Sequence, residues 1–226
     1  SAVICLGAVI RGETIHFEYD IAKSPLHEYA EEIAVIVVEY SKDQPQTREA
    51  LLQQYGTKIS GQFTLSTDAA VGMLAFQAGE RWDNNSGEGY FISIHDAAGK
   101  ALPQSAAAQA AIYRDWGSVY ELNRKAAVGF DLLNKAFAAN PALKTQFFST
   151  YISCMQSLDR SDEGKANAVA FLNVVAESKG LAENDRVSMS SLYDRLGAAE
   201  KATQIREQIG KYHPKGNFMR QKRRQE

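Results

Sequence analysis

Apolar and polar residues follow two different periods along this chain, and the period changes near Pro103. Before Pro103, apolar residues tend to alternate with polar ones, which is typical of strands; after it they recur every three to four residues, which is typical of helices. A chain of 226 residues is long enough to form two cores of modest size. The pattern predicts a strand-rich domain over residues 1–102 and an all-α domain over residues 103–226.

Strand-like segments recur in the first domain at about the 8–12 residue spacing of an antiparallel sandwich. The segment 14–19 alternates most regularly, with Ile15, Phe17 and Tyr19 on one face. The segment 33–40 is almost entirely apolar, which predicts a central strand that is covered on both faces, with the helical half as the candidate cover. The predicted strands are residues 2–10, 14–19, 33–40, 50–54, 58–65, 71–78 and 90–95. The expected fold is an immunoglobulin-like antiparallel β-sandwich.

Apolar residues recur with helical spacing throughout the second domain. One helix is predicted from an apolar stripe that runs from Val119 to Phe137, and a second from the stripe between Leu143 and Leu158. A third helix is predicted to begin at Ser161 and to form an antiparallel hairpin with the second. The apolar residues of the first stripe are Val119, Leu122, Ala126, Phe130, Leu133 and Phe137.

A further helical hairpin is predicted around Gly197. Tyr193, Ala202 and Pro214 match spacings of the tetratricopeptide repeat, although Arg206 stands where that motif prefers an aromatic residue. The second domain is therefore expected to be tetratricopeptide-like, and stacked hairpins of this kind expose a face that can bind a protein.

Composition and charge exclude several classes of function. The chain is 45% hydrophobic and 23% charged, as in ordinary globular proteins, and its formal net charge is −2. This charge gives no field that would attract nucleic acid, and the basic run at residues 220–224 is predicted to be the solvated end of a helix. The apolar run at residues 2–10 is too short to span a membrane.

Candidate catalytic residues are not found. Cys5 and Cys154 form no CxxC motif and are predicted to be buried thiols, with a disulfide between them left open. The four histidines have no metal-ligand spacing, and neither a nucleophile elbow nor a P-loop occurs. We therefore expect no catalytic residue, no cofactor and no metal, and a chain that is silent in thiol exchange.

The densest polar segment, residues 83–90, is predicted to be a hairpin loop between the last two strands. Its oxygen-bearing side chains could bind Ca²⁺, but the glycine falls at the wrong offset for an EF-hand loop. Three neighbouring aromatic rings could instead stack on a sugar, as in carbohydrate-binding sandwiches. The candidate binding residues are Trp82, Asp83, Asn84, Asn85, Tyr90 and Trp116.

The order of these features resembles the non-catalytic N-terminal region of TlpA-type thioredoxin-like thiol-disulfide oxidoreductases of the Bacteroidetes cell envelope. The segments that carry the resemblance are residues 12–19, 24–26, 82–90, 96–100 and 212–216. The resemblance implies that a thioredoxin-like domain with the catalytic CxxC follows in the full-length protein. It also implies a periplasmic or envelope location, after removal of a leader that preceded Ser1.

Three classes of function follow from these observations. The first is an accessory region that positions, docks or dimerises a catalytic domain, with that domain or another envelope protein as partner. The second is a carbohydrate-binding module with a glycan ligand. The third is a helical-repeat scaffold for protein interactions. This chain itself is not expected to be an enzyme, and a homodimer stays open.

Overall fold

The computed structural model describes residues 3–5, 9–10, 12–41 and 44–225. The chain combines antiparallel sheets with helices, and it forms two compact units, residues 1–140 and 141–226. The first unit holds both sheets together with the first two helices. The boundary expected at residue 103 marks the change from strands to helices, but it lies inside this unit, because the first helix packs against a strand.

Two antiparallel sheets make up most of the first unit. One sheet has the strand order β1-β2-β6-β5, and the other has the order β4-β3-β7, with β8 and β9 both paired to β7. The strands in the described part of the chain are β1 (Val3–Cys5), β2 (Thr14–Asp20), β3 (Ala34–Tyr40), β4 (Pro45–Glu49), β5 (Leu51–Tyr55), β6 (Lys58–Thr64), β7 (Val71–Ala78), β8 (Arg81–Asp83) and β9 (Tyr90–Ser93).

The core of this unit lies between the two sheets. Ile15, Phe17 and Tyr19 of β2 are buried there, as the alternation of that strand predicted, and they meet Leu74 and Phe76 of β7. Gly61 of β6 lies opposite Phe17, and a Cβ atom at this position would stand 2.6 Å from the Phe17 ring. A side chain is therefore excluded where β6 passes the aromatic core.

Strand β3 is central, as its apolar sequence predicted, because it pairs with β4 on one side and β7 on the other. Helix α1 (Pro103–Ala111) packs against β7, and four of its five alanines, Ala107, Ala108, Ala110 and Ala111, are almost fully buried. Small side chains let a helix approach a sheet closely. A π-helical turn, Ile112–Trp116, extends α1, and α2 (Ala126–Ala139) packs against α1.

Three parts of the strand prediction were wrong in detail. The described ends of the first predicted strand have different partners, since β1 pairs with β2 while Val9 forms a parallel bridge to Ile94, the residue after β9; residues 6–8 lie outside the described residues. β4 was not predicted because its sequence is polar throughout. β8 was not predicted because it is only three residues long.

The second unit consists of helices that pack in sequence order, with α3 also touching α5. Ser161 caps α4 by accepting a hydrogen bond of 3.1 Å from the Gly164 N–H, as the sequence predicted. Gly197, with φ at +80°, joins α5 to α6 at the predicted position. The helices described here are α3 (Lys144–Leu158), α4 (Asp162–Ala176), α5 (Glu183–Arg195), α6 (Ala199–Tyr212) and α7 (Asn217–Gln225).

The helix predicted from Val119 to Phe137 was wrong in its first part. Residues 117–121 form turns instead and residues 122–125 are irregular, Val119 is 55% exposed, and α2 begins only at Ala126. Glu121 has φ at +51°, which ends any helix at this point. The backbone of these turns is bound to the polar segment that follows β8, and this tertiary contact overrides the apolar spacing.

Candidate functional site

The polar segment Asn84–Gly89 is an excursion from one interrupted strand. β8 pairs with residues 76–78 of β7, and β9 pairs with residues 71–74, on the same edge and in the same direction. The predicted hairpin loop was therefore wrong, since the chain does not reverse between β8 and β9. Opposite Ala75, six residues leave the strand and return to it, as in an enlarged β-bulge.

Asp83, the residue before this segment, accepts hydrogen bonds from several parts of the first unit. Its side chain is almost fully buried, and one carboxylate oxygen accepts a hydrogen bond of 2.9 Å from the Tyr19 hydroxyl. The other oxygen accepts bonds from the Tyr90 hydroxyl at 3.0 Å and from the Asn85 N–H at 3.1 Å. These donors compensate for the removal of the carboxylate from water.

Asn84 faces the helical end of the first unit. Its amide nitrogen donates to the carbonyl oxygens of Tyr120 at 3.0 Å and Glu121 at 2.7 Å. Its amide oxygen accepts the Gly87 N–H at 2.8 Å. The side chain thus makes three hydrogen bonds, and it fastens the excursion to the turns at residues 117–121.

Residues on either side of these turns also bind the excursion. The Asn123 N–H donates to the Gly87 carbonyl at 2.8 Å, and the Asn123 amide donates to the Ser86 carbonyl at 2.9 Å. Tyr113 donates to the Glu88 carbonyl, and Lys125 pairs with the Glu88 carboxylate. Gly87 is required here because its φ is +83° and a Cβ atom would collide with the Asn123 amide.

The side chains considered as calcium ligands make hydrogen bonds within the protein. The oxygens of Asp83 and Asn84 accept hydrogen bonds from the protein, and they hold the sheets and the turns together. Within the described ranges, no three His, Cys, Asp or Glu residues stand close enough to hold a metal ion. No helix among these residues is both long and apolar enough to cross a membrane.

The aromatic candidates do not form one stacking platform. Trp82 lies opposite Gln77 and Tyr90 lies opposite Leu74, so the two side chains lie on opposite faces of the sheet. The Tyr90 hydroxyl is bound to Asp83. Trp116 ends the π-helical turn after α1, and like Trp82 it is half-buried.

A groove that the sequence analysis missed lies on the four-stranded sheet. Its volume is about 660 Å³, and it runs across three neighbouring strands, β2, β6 and β5. The strand register puts His16, Gln62 and Leu51 in one row and Glu18, Ser60 and Gln53 in the next. The alternation in β2 marks His16 and Glu18 as outward-facing, but only the register brings them beside Leu51 and Gln53.

Cys154 is fully buried in α3 and is not part of a disulfide. The side chain of Cys5 lies outside the described residues. Burial in an apolar core protects a thiol from exchange, because the attacking species is an accessible thiolate. The geometry around Cys154 is that of a core residue.

Comparison with protein-family models gives no match for this chain, and neither does comparison with curated proteins. The candidate site is therefore defined by its geometry: a buried polar cluster around Asp83 and Asn84, and an open groove on the sheet that includes β5.

We predict that Asn84→Ala lowers the free energy of unfolding of the first unit by about 1–3 kcal/mol, because it leaves buried backbone groups without partners. Both tryptophans lie in this unit, so their fluorescence in a urea titration reports on it alone. Ser86→Ala is the matched control, since the Ser86 side chain is exposed in the same segment. Equal stability of the Asn84 variant and the wild type would contradict the assigned role.

We also predict a loss of stability at alkaline pH. Burial raises the pKa of Tyr19 and of Tyr90 far above the ordinary value of 10.0, and the Asp83 carboxylate adds to both shifts. The folded state then keeps protons that the unfolded state releases, so this contribution is complete below pH 10.0 and is lost as pH rises above it.

Urea titrations between about pH 8 and 11 measure this loss, and Tyr19→Phe reduces its slope by up to about 1.4 kcal/mol per pH unit. Tyr55→Phe is the control, because Tyr55 is 71% exposed. A wild-type stability that stays constant above pH 10.0 would rule out the protonated cluster.

Proposed function

We propose that this chain is a non-catalytic docking region, of the kind that accompanies the thioredoxin-like domain in TlpA-type thiol-disulfide oxidoreductases. The observation that carries the proposal is that the polar and thiol side chains considered as candidate site groups stabilise the fold. Asp83 and Asn84 hold the first unit together, and the Cys154 thiol is fully buried. Such a chain contributes binding surfaces, while the chemistry belongs to a partner domain.

The resemblance supplies the remaining detail of this proposal. We propose an immunoglobulin-like β-sandwich followed by tetratricopeptide-like hairpins, in a periplasmic or envelope protein. The common core of the two antiparallel sheets supports the first assignment. The consecutive pairing of α3 with α4 and of α5 with α6 supports the second.

The second unit offers a surface for a protein partner on α7. The Glu183 carboxylate accepts the N–H groups of Asn217 at 2.9 Å and Phe218 at 2.8 Å, which fixes the start of α7. Arg220 and Arg224 are exposed four residues apart, on one face of this helix. A fixed face with two cationic groups suits an acidic patch on the docked domain.

Binding of a TlpA-type thioredoxin-like domain to this chain, measured by surface plasmon resonance, tests the proposal. Arg220→Glu with Arg224→Glu is expected to weaken binding by about tenfold or more, because charge reversal opposes the acidic patch. Lys179→Glu with Lys201→Glu is the matched control, since both lysines are exposed elsewhere in the same unit. The chain alone is expected to give no turnover in an insulin-reduction assay.

Absence of binding to the thioredoxin-like domain would contradict the docking role. Reductase activity of this chain alone would contradict its non-catalytic character. In a Cys5→Ser variant, Cys154 is the remaining thiol, and it is expected to react with a disulfide reagent only after denaturation.

A second candidate function, glycan binding, is favoured by the groove on the four-stranded sheet. Its walls carry amide and hydroxyl groups from Gln53, Gln62 and Ser60 beside the apolar side chain of Leu51. The charge of Glu18 is paired with Lys58 at 2.5 Å, so the lining is close to neutral. Neutral hydrogen-bonding groups beside an apolar side chain suit a neutral sugar.

Glycan-array binding tests this candidate, and Gln53→Ala with Gln62→Ala is expected to abolish the signal. Gln46→Ala on β4 is the control, because Gln46 is exposed outside the groove. A signal that disappears with Trp82→Ala or Trp116→Ala, but not with the groove variants, would move the site to the aromatic residues. An array without signal would remove this candidate.

A further inference from the structure

Strand β5 forms an uncharged edge of the four-stranded sheet. The order β1-β2-β6-β5 places it last, and among the described residues it pairs with β6 alone. Its sequence, Leu-Leu-Gln-Gln-Tyr, contains neither a charge nor a proline. Leu51 is 89% exposed and Tyr55 is 71% exposed. An edge of this composition is a template for pairing with another strand.

The neighbouring edge strand, β4 of the other sheet, is protected in the usual ways. It begins with Pro45 and carries Arg48 and Glu49. The Arg48 guanidinium lies 3.3 Å from the Glu39 carboxylate and also donates a hydrogen bond to the Thr64 carbonyl. Proline and charged side chains discourage pairing at an edge. The two edge strands are consecutive in the chain, yet only β4 carries these features.

We infer that β5 pairs antiparallel with β5 of a second copy of this chain, about a two-fold axis at Gln53. In this register, Leu51 of each copy lies opposite Tyr55 of the other, and Gln53 lies opposite Gln53. Outward-facing residues thus form two apolar cross-strand pairs around one pair of amides. A two-fold interface requires this kind of self-complementarity.

Charge supports a second copy as the occupant. Like charges directly opposite each other destabilise a strand pair, and a strand without charge avoids them when it meets itself. Within the sheet, Tyr55 lies directly opposite Lys58 of β6, and the charge of Lys58 is paired with the Glu18 carboxylate. Two copies therefore meet at β5 without opposing charges.

The pairing of two five-residue strands gives a weak dimer. Stable interfaces bury about 1,200–2,000 Å², and five residues a side provide less than that. We expect a dissociation constant of about 10–100 μM, in the range of transient association. Sedimentation velocity at increasing concentrations of the whole chain detects such an equilibrium.

Charge placed on the axis tests the register. Gln53→Lys alone puts two ammonium groups opposite each other, and Gln53→Glu alone puts two carboxylates there. Each variant is expected to dimerise about tenfold more weakly or worse. An equimolar mixture of the two is expected to recover the association, because each lysine then meets a glutamate across the axis.

Gln46→Lys is the matched control on β4, where it should leave the equilibrium unchanged. Circular dichroism of each variant checks that the fold is intact. A wild-type chain that stays monomeric throughout the concentration range would overturn the inference, as would a dimer that the Gln53 variants do not weaken. An edge that binds an extended peptide but no second copy would also overturn it.

Discussion

The buried carboxylate of Asp83 is the contact on which the first unit depends, because it joins two sheets that share no strand. Tyr19 reaches it from β2 of one sheet, and Tyr90 reaches it from β9 of the other. Phe76 lies between these rings, stacked on Tyr19 at 3.8 Å and edge-on to Tyr90 at 5.8 Å. A charge at this depth is tolerated only while its donors stay in place. The aromatic packing that positions the two hydroxyls is thus also the condition for burying the carboxylate.

The next residue extends this connection to the helices. Asn84 turns away from Asp83 and binds the carbonyl groups of Tyr120 and Glu121, so adjacent residues join both sheets to the turns before α2. This explains why the first unit continues to residue 140, although the strands end much earlier. Residues 103–140 belong with the sheets because α1 covers β7 and the following turns hold the excursion from β8. Polar contacts of this kind fix one arrangement of the layers, whereas apolar burial alone tolerates several.

Local signals in the sequence predicted the local structure well. Ser161 begins α4 and Gly197 separates α5 from α6, because capping and left-handed backbone depend on a few adjacent residues. Two of the failures involve distant partners. The stripe from Val119 fits a helix by spacing, but the turns there are bound to Gly87 and Asn84. β8 and β9 form one interrupted strand only because β7 pairs with both.

The candidate sites show the same division between local and distant information. The segment after Trp82 is conspicuous in sequence because it is rich in residues that suit turns, yet its polar atoms are engaged within the protein. The groove is inconspicuous because its rows join residues more than thirty positions apart, as in the row of His16, Gln62 and Leu51. Hydrogen-bonding side chains that are already satisfied stabilise a fold, and recognition depends on those that still face solvent. On this criterion, the four-stranded sheet and its β5 edge, which are plain in composition, are better placed for recognition than the polar segment.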